Sequence, residues 1–249
     1  MGELVDPRQG LATADNNRFL RQWFEVSIGS INFNATSGKD AYQSGLKWFP
    51  YNKGGAYRKW YGNYDYVVNW ERDGYEIKHF TDNRGKVRSR PQNTDYYFRE
   101  AITWSDVTSG IFSMRWRDSG SIFDSVGMEA FSKDKSCADL KYAMGLMNSK
   151  VGNYVLKMLN PTIHTRGGIN NIPVLIDLNI DSTVIDSCIR LSKADWDNYE
   201  ISSNFRQHSL ITFAEHPLSH PQKIAHYGPY VPNLRQLLEK DEWRVEING

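Results

Sequence analysis

Few side chains in this sequence have the types and spacing that catalysis or metal binding requires. His216 and His220 are four residues apart, as in helical metal-binding pairs, but Pro217 between them breaks the helix that would present both rings. Cys137 and Cys188 match no zinc-ligand spacing. The sequence has no glycine-rich phosphate loop and no nucleophile elbow. We therefore expect neither a metal site nor a catalytic centre, and a nuclease or hydrolase is disfavoured because no cluster of carboxylates or histidines supports one.

Basic and aromatic residues are concentrated in one part of the chain, although the formal net charge is only +1. From Lys47 to Arg90 there are ten Lys or Arg residues and five Asp or Glu residues. Lysine and arginine neutralise phosphates, while asparagine, glutamine and arginine side chains can contact base edges. A basic face that binds nucleic acid is therefore one interpretation of this stretch.

Three groups of residues are candidate contacts with nucleic acid, and each has an alternative. The run 47–63 contains Lys53, Arg58 and Lys59, and its alternative is an aromatic-rich core edge with solvated lysines. A second run, 84–93, has a solvated hairpin loop as its alternative, and its candidates are Arg84, Lys86, Arg88, Arg90, Gln92 and Asn93. Arg115 and Arg117 alternate with apolar residues, so both project from one sheet face. That face either meets DNA or lets the arginines pair with internal acids.

The hydrophobic pattern predicts an α+β fold with a mixed β-sheet and helices towards the C-terminal end. Apolar residues at helical spacing predict a helical segment at about 138–159, in which Met144 and Met147 are core residues. We divide the chain into a domain over 1–176 and a helical and loop extension over 177–249. Strands are predicted at 25–33, 64–70, 101–107, 111–116 and 121–126, the stretch 44–63 as a structured loop, and shorter helices within 11–24 and near 74–80, 183–192 and 233–240.

The sequence also indicates where the protein resides. No segment approaches the roughly 18 apolar residues of a membrane-spanning helix. The N-terminus has no apolar signal region, and two distant cysteines do not suggest a disulfide framework. We expect a cytoplasmic protein without membrane contacts.

Several motifs, in order along about four-fifths of the chain, give a more specific indication. The run Pro7–Arg21, with Thr13-Ala14-Asp15-Asn16-Asn17 at its centre, resembles the opening of target-recognition domains in large adenine-specific DNA methyltransferases. These are the methyltransferases of bacteriophage-exclusion (BREX) systems and of single-chain type II restriction–modification. The similarity continues through 47–70, 88–97, 120–127, 146–150, 159–162, 169–174 and 192–197. One departure is Ala14, where we expect glycine in many relatives, which leaves open whether this turn has a backbone angle that favours glycine.

The resemblance implies that recognition and chemistry are divided between domains. Such enzymes bind S-adenosylmethionine and hold a flipped adenine with an Asn/Asp-Pro-Pro-Tyr-type tetrapeptide. This chain has no Pro-Pro, and its nearest match, Asn160-Pro161-Thr162-Ile163, lacks the second proline and the aromatic residue. We therefore expect no cofactor in this chain, and an N-terminal catalytic domain of the same parent protein that methylates adenine N6. This chain would be the C-terminal part, which binds double-stranded DNA and selects a short asymmetric site.

The resemblance also places the Gly10–Arg18 turn near the DNA. It adds candidate contacts before the basic stretch: Arg8, Thr13, Asn16, Asn17 and Arg18. Arg166 follows the end of the long helical segment and is a further candidate, and its alternative is an ordinary loop residue. The alternative function is a protein-interaction domain that docks the methyltransferase to other phage-defence subunits. That alternative predicts binding insensitive to salt, whereas phosphate contacts make affinity fall steeply with salt.

Overall fold

Two four-stranded β-sheets and six α-helices make up the described part of the chain. The computed structural model describes residues 1–106, 110–134, 136–160, 168–174, 182–208 and 211. Met1–Phe205 forms one compact unit, and a second begins at Arg206. In chain order the elements are β1 (Val5–Arg8), α1 (Asn16–Phe19), β2 (Leu20–Gln22), α2 (Gly38–Gln43), β3 (Trp48–Asn52), β4 (Tyr66–Asn69), α3 (Glu71–Lys78), β5 (Ala101–Ser105), β6 (Arg115–Arg117), β7 (Ile122–Phe123), β8 (Gly127–Ser132), α4 (Cys137–Asn148), α5 (Lys150–Leu159) and α6 (Thr183–Trp196). The α+β fold expected from the sequence is confirmed.

The two sheets differ in strand direction. In the first sheet the order is β1-β8-β5-β6, and all neighbours are antiparallel. In the second the order is β2-β4-β3-β7, where β3 and β7 are parallel and the other pairs antiparallel. Thr103 on β5 lies opposite both Arg115 on β6 and Glu129 on β8, so these three side chains share one face of the first sheet.

Alternation along β5 separates two hydrophobic cores. Ile102 and Trp104 belong to the core that includes buried residues of α4 and α5, whereas Ala101 packs with residues of the second sheet. Met144 and Met147 of α4 are fully buried in the first core, as the helical spacing predicted. The first sheet is therefore covered on both faces, by helices on one side and by the second sheet on the other.

Three expectations about secondary structure need correction. The predicted strand at 25–33 is instead two 3-10 turns, Trp23–Glu25 and Ile28–Ser30, because Glu25 accepts a hydrogen bond from the backbone of Gln22 and stabilises a local turn. The loop expected over 44–63 contains β3. The helical segment at about 138–159 is two helices, since the Ser149 hydroxyl caps α5 by accepting from the Gly152 amide at 3.0 Å. The helix expected near 233–240 lies outside the described residues.

The break between α4 and α5 also fixes the helices to the first sheet. The buried Asn148 side chain donates to the carbonyl of Met114 and accepts from its amide, both at 2.9 Å. The expected domain boundary near residue 176 falls outside the described residues. The helix after it, α6, packs within the first unit, where Trp196 is buried in the same core as α4. None of the helices in the described ranges is long and apolar enough to cross a membrane.

Candidate nucleic-acid interface

Two segments lie side by side in the structure, the turn at 12–18 and the hairpin at 84–90, although they are about 70 residues apart in sequence. The amide of Ala12 donates to the carbonyl of Arg90 at 3.0 Å, and the amide of Arg90 donates to the carbonyl of Ala12 at 2.8 Å. The exposed side chains of the two segments therefore share one side of the molecule, which we call the basic surface: Asn16, Asn17, Arg18, Arg84, Lys86, Arg88 and Arg90. It has five positively charged groups and two amides.

The turn that leads into α1 is fixed by short hydrogen bonds between its own side chains. Asp15 caps α1 by accepting from the Arg18 amide at 3.1 Å. Thr13 is buried and donates to the side chain of Asn16 at 2.6 Å. Ala14 has φ of 63°, so the turn does adopt the left-handed angle that favours glycine, in spite of its alanine. Thr13 thus orients Asn16, and its own hydroxyl is not presented to solvent.

Arg18 is held more firmly than an ordinary surface arginine. Its Nε and Nη2 donate to Glu76 Oε1 at 3.0 and 2.8 Å, and Asn69 donates to Glu76 Oε2 at 2.8 Å. The Arg18 guanidinium lies 5.0 Å from the centroid of the Phe80 ring, and that of Arg88 lies 5.1 Å from the same centroid. The two guanidinium carbons are therefore within about 10 Å of each other.

A short hairpin presents the remaining positive charges of the basic surface. Thr81 pairs with Val87, and the carboxylate of Asp82 accepts from the amides of Arg84 and Lys86 at 2.8 and 3.0 Å. Gly85 has φ of 74°, which this tight loop requires. The hairpin backbone is thus fixed, while the side chains of Arg84 and Lys86 are exposed at its tip.

Some of the expected contact residues bind other parts of the chain instead. The amides of Gln92 and Asn93 donate to the carbonyls of Gly10 and Gln9, at 3.3 and 2.8 Å, and so join the second segment to the first. Arg8 forms an ion pair with Asp6 at 2.5 Å, and the hydrogen bond to Asp6 raises the pKa of Arg8 above its usual value. Arg166 lies outside the described residues.

The 53–59 loop makes its contacts within the chain. Lys59 donates to the carbonyl of Asn148 at 2.7 Å, and the Arg58 guanidinium lies 4.8 Å from the centroid of the Trp196 ring. The ammonium group of Lys53 lies 4.8 Å from the centroid of the Tyr66 ring. The structure therefore does not bring Lys53, Arg58 and Lys59 into the basic surface, and two of them hold helices against the sheets.

Arg115 and Arg117 are buried, which corrects the expectation that their sheet face meets DNA. They are 1% and 0% exposed, and the Arg117 guanidinium lies 3.8 Å from the centroid of the Tyr64 ring. Burial and the neighbouring Arg117 lower the pKa of Arg115 to about 10. The alternative of internal acids holds only in part: acidic groups lie near, but no ion pair within 4.0 Å joins either arginine to a carboxylate in the described chain.

Glu129 on β8 shares this sheet face and is also buried. Asn52 donates to Glu129 Oε1 at 2.8 Å, whereas Glu129 Oε2 has no hydrogen-bond partner among the described residues. Burial raises the pKa of Glu129 to about 7, although the charge of Arg117 acts in the opposite direction. The carboxyl group is therefore protonated in the folded protein below about pH 7.

We expect Glu129→Gln to remove part of the pH dependence of folding. A folded pKa of about 7 exceeds the usual 4.5, so the stabilisation is fully present below pH 4.5 and is lost as the pH rises through about 7. The wild type should lose about 3 kcal/mol more unfolding free energy than the variant over that interval, on the order of 1.4 kcal/mol per pKa unit. Urea unfolding of both proteins at about pH 5 and about pH 8 measures this difference. Equal pH dependence of the two proteins would contradict the assignment.

The described residues contain no group of three or more His, Cys, Asp or Glu side chains that could hold a metal ion. The histidine pair near 216–220 lies outside them.

Sequence reasoning missed Glu76 and Phe80, which position Arg18. No local signal identifies them, because they are about 60 residues away in sequence.

Comparison with known proteins shows that homologues of this chain are adenine-specific methyltransferases. The chain is 37% identical over 217 residues to adenine-specific methyltransferase PglX of Lacticaseibacillus casei (strain Zhang), which covers 86% of this chain and 18% of the relative. It is 36% identical over 229 residues to adenine-specific methyltransferase BrxX of Escherichia coli O9:H4 (strain HS), with 91% and 17% covered. No family model matches the chain. The chain thus spans less than a fifth of the length of these relatives.

Proposed function

We propose that this chain selects the DNA site for an adenine methyltransferase. It binds double-stranded DNA and distinguishes one short asymmetric sequence. A catalytic domain elsewhere in the parent protein binds S-adenosylmethionine and methylates N6 of a flipped adenine. The parent protein acts in the cytoplasm, in phage exclusion or in restriction–modification.

The observation that carries this proposal is the convergence of the 12–18 turn and the 84–90 hairpin. Their backbones are hydrogen-bonded to each other, so the five positively charged side chains project from an ordered backbone. Because the backbone is already ordered, DNA binding has to order only the side chains; arginine and lysine contact phosphates, and the exposed asparagines next to them are suited to base edges. The similarity to two adenine-specific methyltransferases supports the same proposal.

Placing the chemistry in another domain is supported by the sequence and by the lengths of the relatives. The chain has no Asn/Asp-Pro-Pro-Tyr-type tetrapeptide to hold a flipped adenine. Its relatives are more than five times longer than the aligned part, which leaves room for a catalytic domain. We therefore assign recognition to this chain and methyl transfer to the rest of the parent protein.

A protein-interaction role is the second candidate, and it is favoured by α5. Val151, Tyr154 and Met158 follow each other at helical spacing, and each is about two-thirds exposed. An exposed apolar stripe of this kind is suited to contact with another protein surface, including other phage-defence subunits. Such binding depends on apolar area, so it changes little with salt.

Salt dependence of duplex binding separates the two functions. If the four positively charged side chains at 84–90 contact phosphates, log K should fall with log salt with a slope of about −3 to −4. Affinity for a random-sequence duplex should then drop roughly a hundredfold between about 50 and 200 mM salt. Fluorescence anisotropy with a labelled duplex measures both quantities. No binding at the lower salt, or binding independent of salt, would contradict the proposal.

A further inference from the structure

The five positive charges of the basic surface are not equivalent. Arg18 forms an ion pair with Glu76 at 2.8 Å, and both side chains are about half exposed. The other four, Arg84, Lys86, Arg88 and Arg90, have no ion pair with a carboxylate among the described residues. A carboxylate beside a guanidinium repels an incoming phosphate, so Arg18 is the least suited of the five to contact the DNA backbone.

The same carboxylate makes Arg18 well suited to a neutral acceptor. Glu76 occupies the side of the guanidinium that carries Nε, and no hydrogen bond among the described residues uses Nη1. The outer edge, formed by Nη1 and the second hydrogen of Nη2, is therefore available for two parallel hydrogen bonds. Guanine presents two neutral acceptors, O6 and N7, side by side in the major groove, and arginine binds this pair bidentately.

Arg18 is also positioned before any DNA binds. The Glu76 carboxylate is itself held by Asn69 at the end of β4, and the guanidinium lies 5.0 and 5.4 Å from the ring centroids of Phe80 and Phe19. An arginine restrained in this way has already lost much of its rotational freedom, so more of its interaction energy contributes to discrimination between bases.

We infer that Arg18 contacts a guanine base in the recognised site, that Glu76 is its positioning residue, and that the 84–90 side chains contact phosphates. This inference rests on the proposed function, because it assumes that the basic surface binds DNA. It assigns a base and a residue that sequence reasoning left as either guanine or phosphate.

The test uses conservative variants on the duplex site selected by the wild-type chain. Arg18→Lys keeps the positive charge but cannot form the two parallel hydrogen bonds of a planar guanidinium. It should lose between about 5- and 150-fold of preference for guanine at one position, with the salt slope unchanged. Arg88→Lys is the matched control, and it should keep every base preference because lysine also binds phosphates.

Glu76→Gln separates positioning from a merely structural effect. Removing the carboxylate should lower the preference for guanine at the same position by about fivefold or more. Binding to a random-sequence duplex should be unchanged or tighter, because a negative charge beside the DNA is lost. A structural defect would weaken both kinds of binding together.

The outcomes distinguish this inference from the proposed function. If the wild type selects a sequence but Arg18→Lys keeps all its base preferences, or loses affinity equally at every position, the assignment of Arg18 is wrong and the proposed function stands. If the wild type binds no duplex, both fail. Loss of guanine preference at one position in Arg18→Lys and in Glu76→Gln supports the inference.

Discussion

Replacing Arg88 and Arg90 by alanine is expected to weaken duplex binding roughly 50-fold at 0.1 M salt, because each phosphate contact contributes nearly tenfold there. The slope of log K against log salt should become less steep by about 2, since each contact contributes about 0.9. Both side chains are exposed, and the backbone hydrogen bonds between Arg90 and Ala12 do not depend on them. Fluorescence anisotropy over a salt series measures the effect.

A matched control removes the same charge elsewhere. Lys150 and Lys157 are exposed on α5, which packs in the core of the first sheet, away from the 12–18 turn and the 84–90 hairpin. Lys150→Ala with Lys157→Ala should leave the salt slope within about half a unit of the wild-type value. If both double variants change the slope equally, only net charge matters and the basic surface is not the interface.

Gly10→Ala is expected to have the largest effect on stability. A Cβ at this position would lie 1.9 Å from the carbonyl oxygen of Phe123 and 2.6 Å from its carbonyl carbon, and these backbone atoms are fixed in β7. The amide of Leu11 donates to that same carbonyl at 2.8 Å, so the chain cannot move away without breaking this contact. We expect the unfolding free energy to fall by about 3 kcal/mol or more. Urea unfolding measures this change.

Gly38→Ala is the control for glycine replacement. Gly38 begins α2, and a Cβ there meets no atom within 4 Å. Alanine should leave the stability within about 0.5 kcal/mol or raise it slightly, because it restricts the unfolded chain. A Gly10→Ala protein as stable as the Gly38→Ala protein would mean that the chain around Gly10 is not packed against β7 in this way.

The sequence predicted elements whose pattern is strong and local. The strands β4 and β5 and the helical segment that contains α4 and α5 follow from the hydrophobic pattern alone. β3 was expected as a loop, because the residues after it are rich in glycine and asparagine, although Phe49 and Tyr51 are fully buried. Composition describes a window of sequence, whereas β3 is determined by its pairing with β4 and β7.

The candidate site was predictable in its residue types and only partly in its geometry. Alternation correctly placed Arg115 and Arg117 on one face, but it gave no information about the second sheet that covers that face. The pairing of Arg18 with Glu76 joins α1 to α3 across 58 residues, and no local rule relates such positions. Tertiary packing therefore decides which arginines are presented to solvent.

Selection from a randomised duplex library, with sequencing of the DNA retained at two salt concentrations, tests the central claim most directly. A recognition module should enrich one short asymmetric sequence that contains an adenine, and the enrichment should persist at the higher salt while non-specific retention falls. Retention of DNA without any enriched sequence, or no retention at the lower salt, would contradict the claim that this chain selects the methylation site.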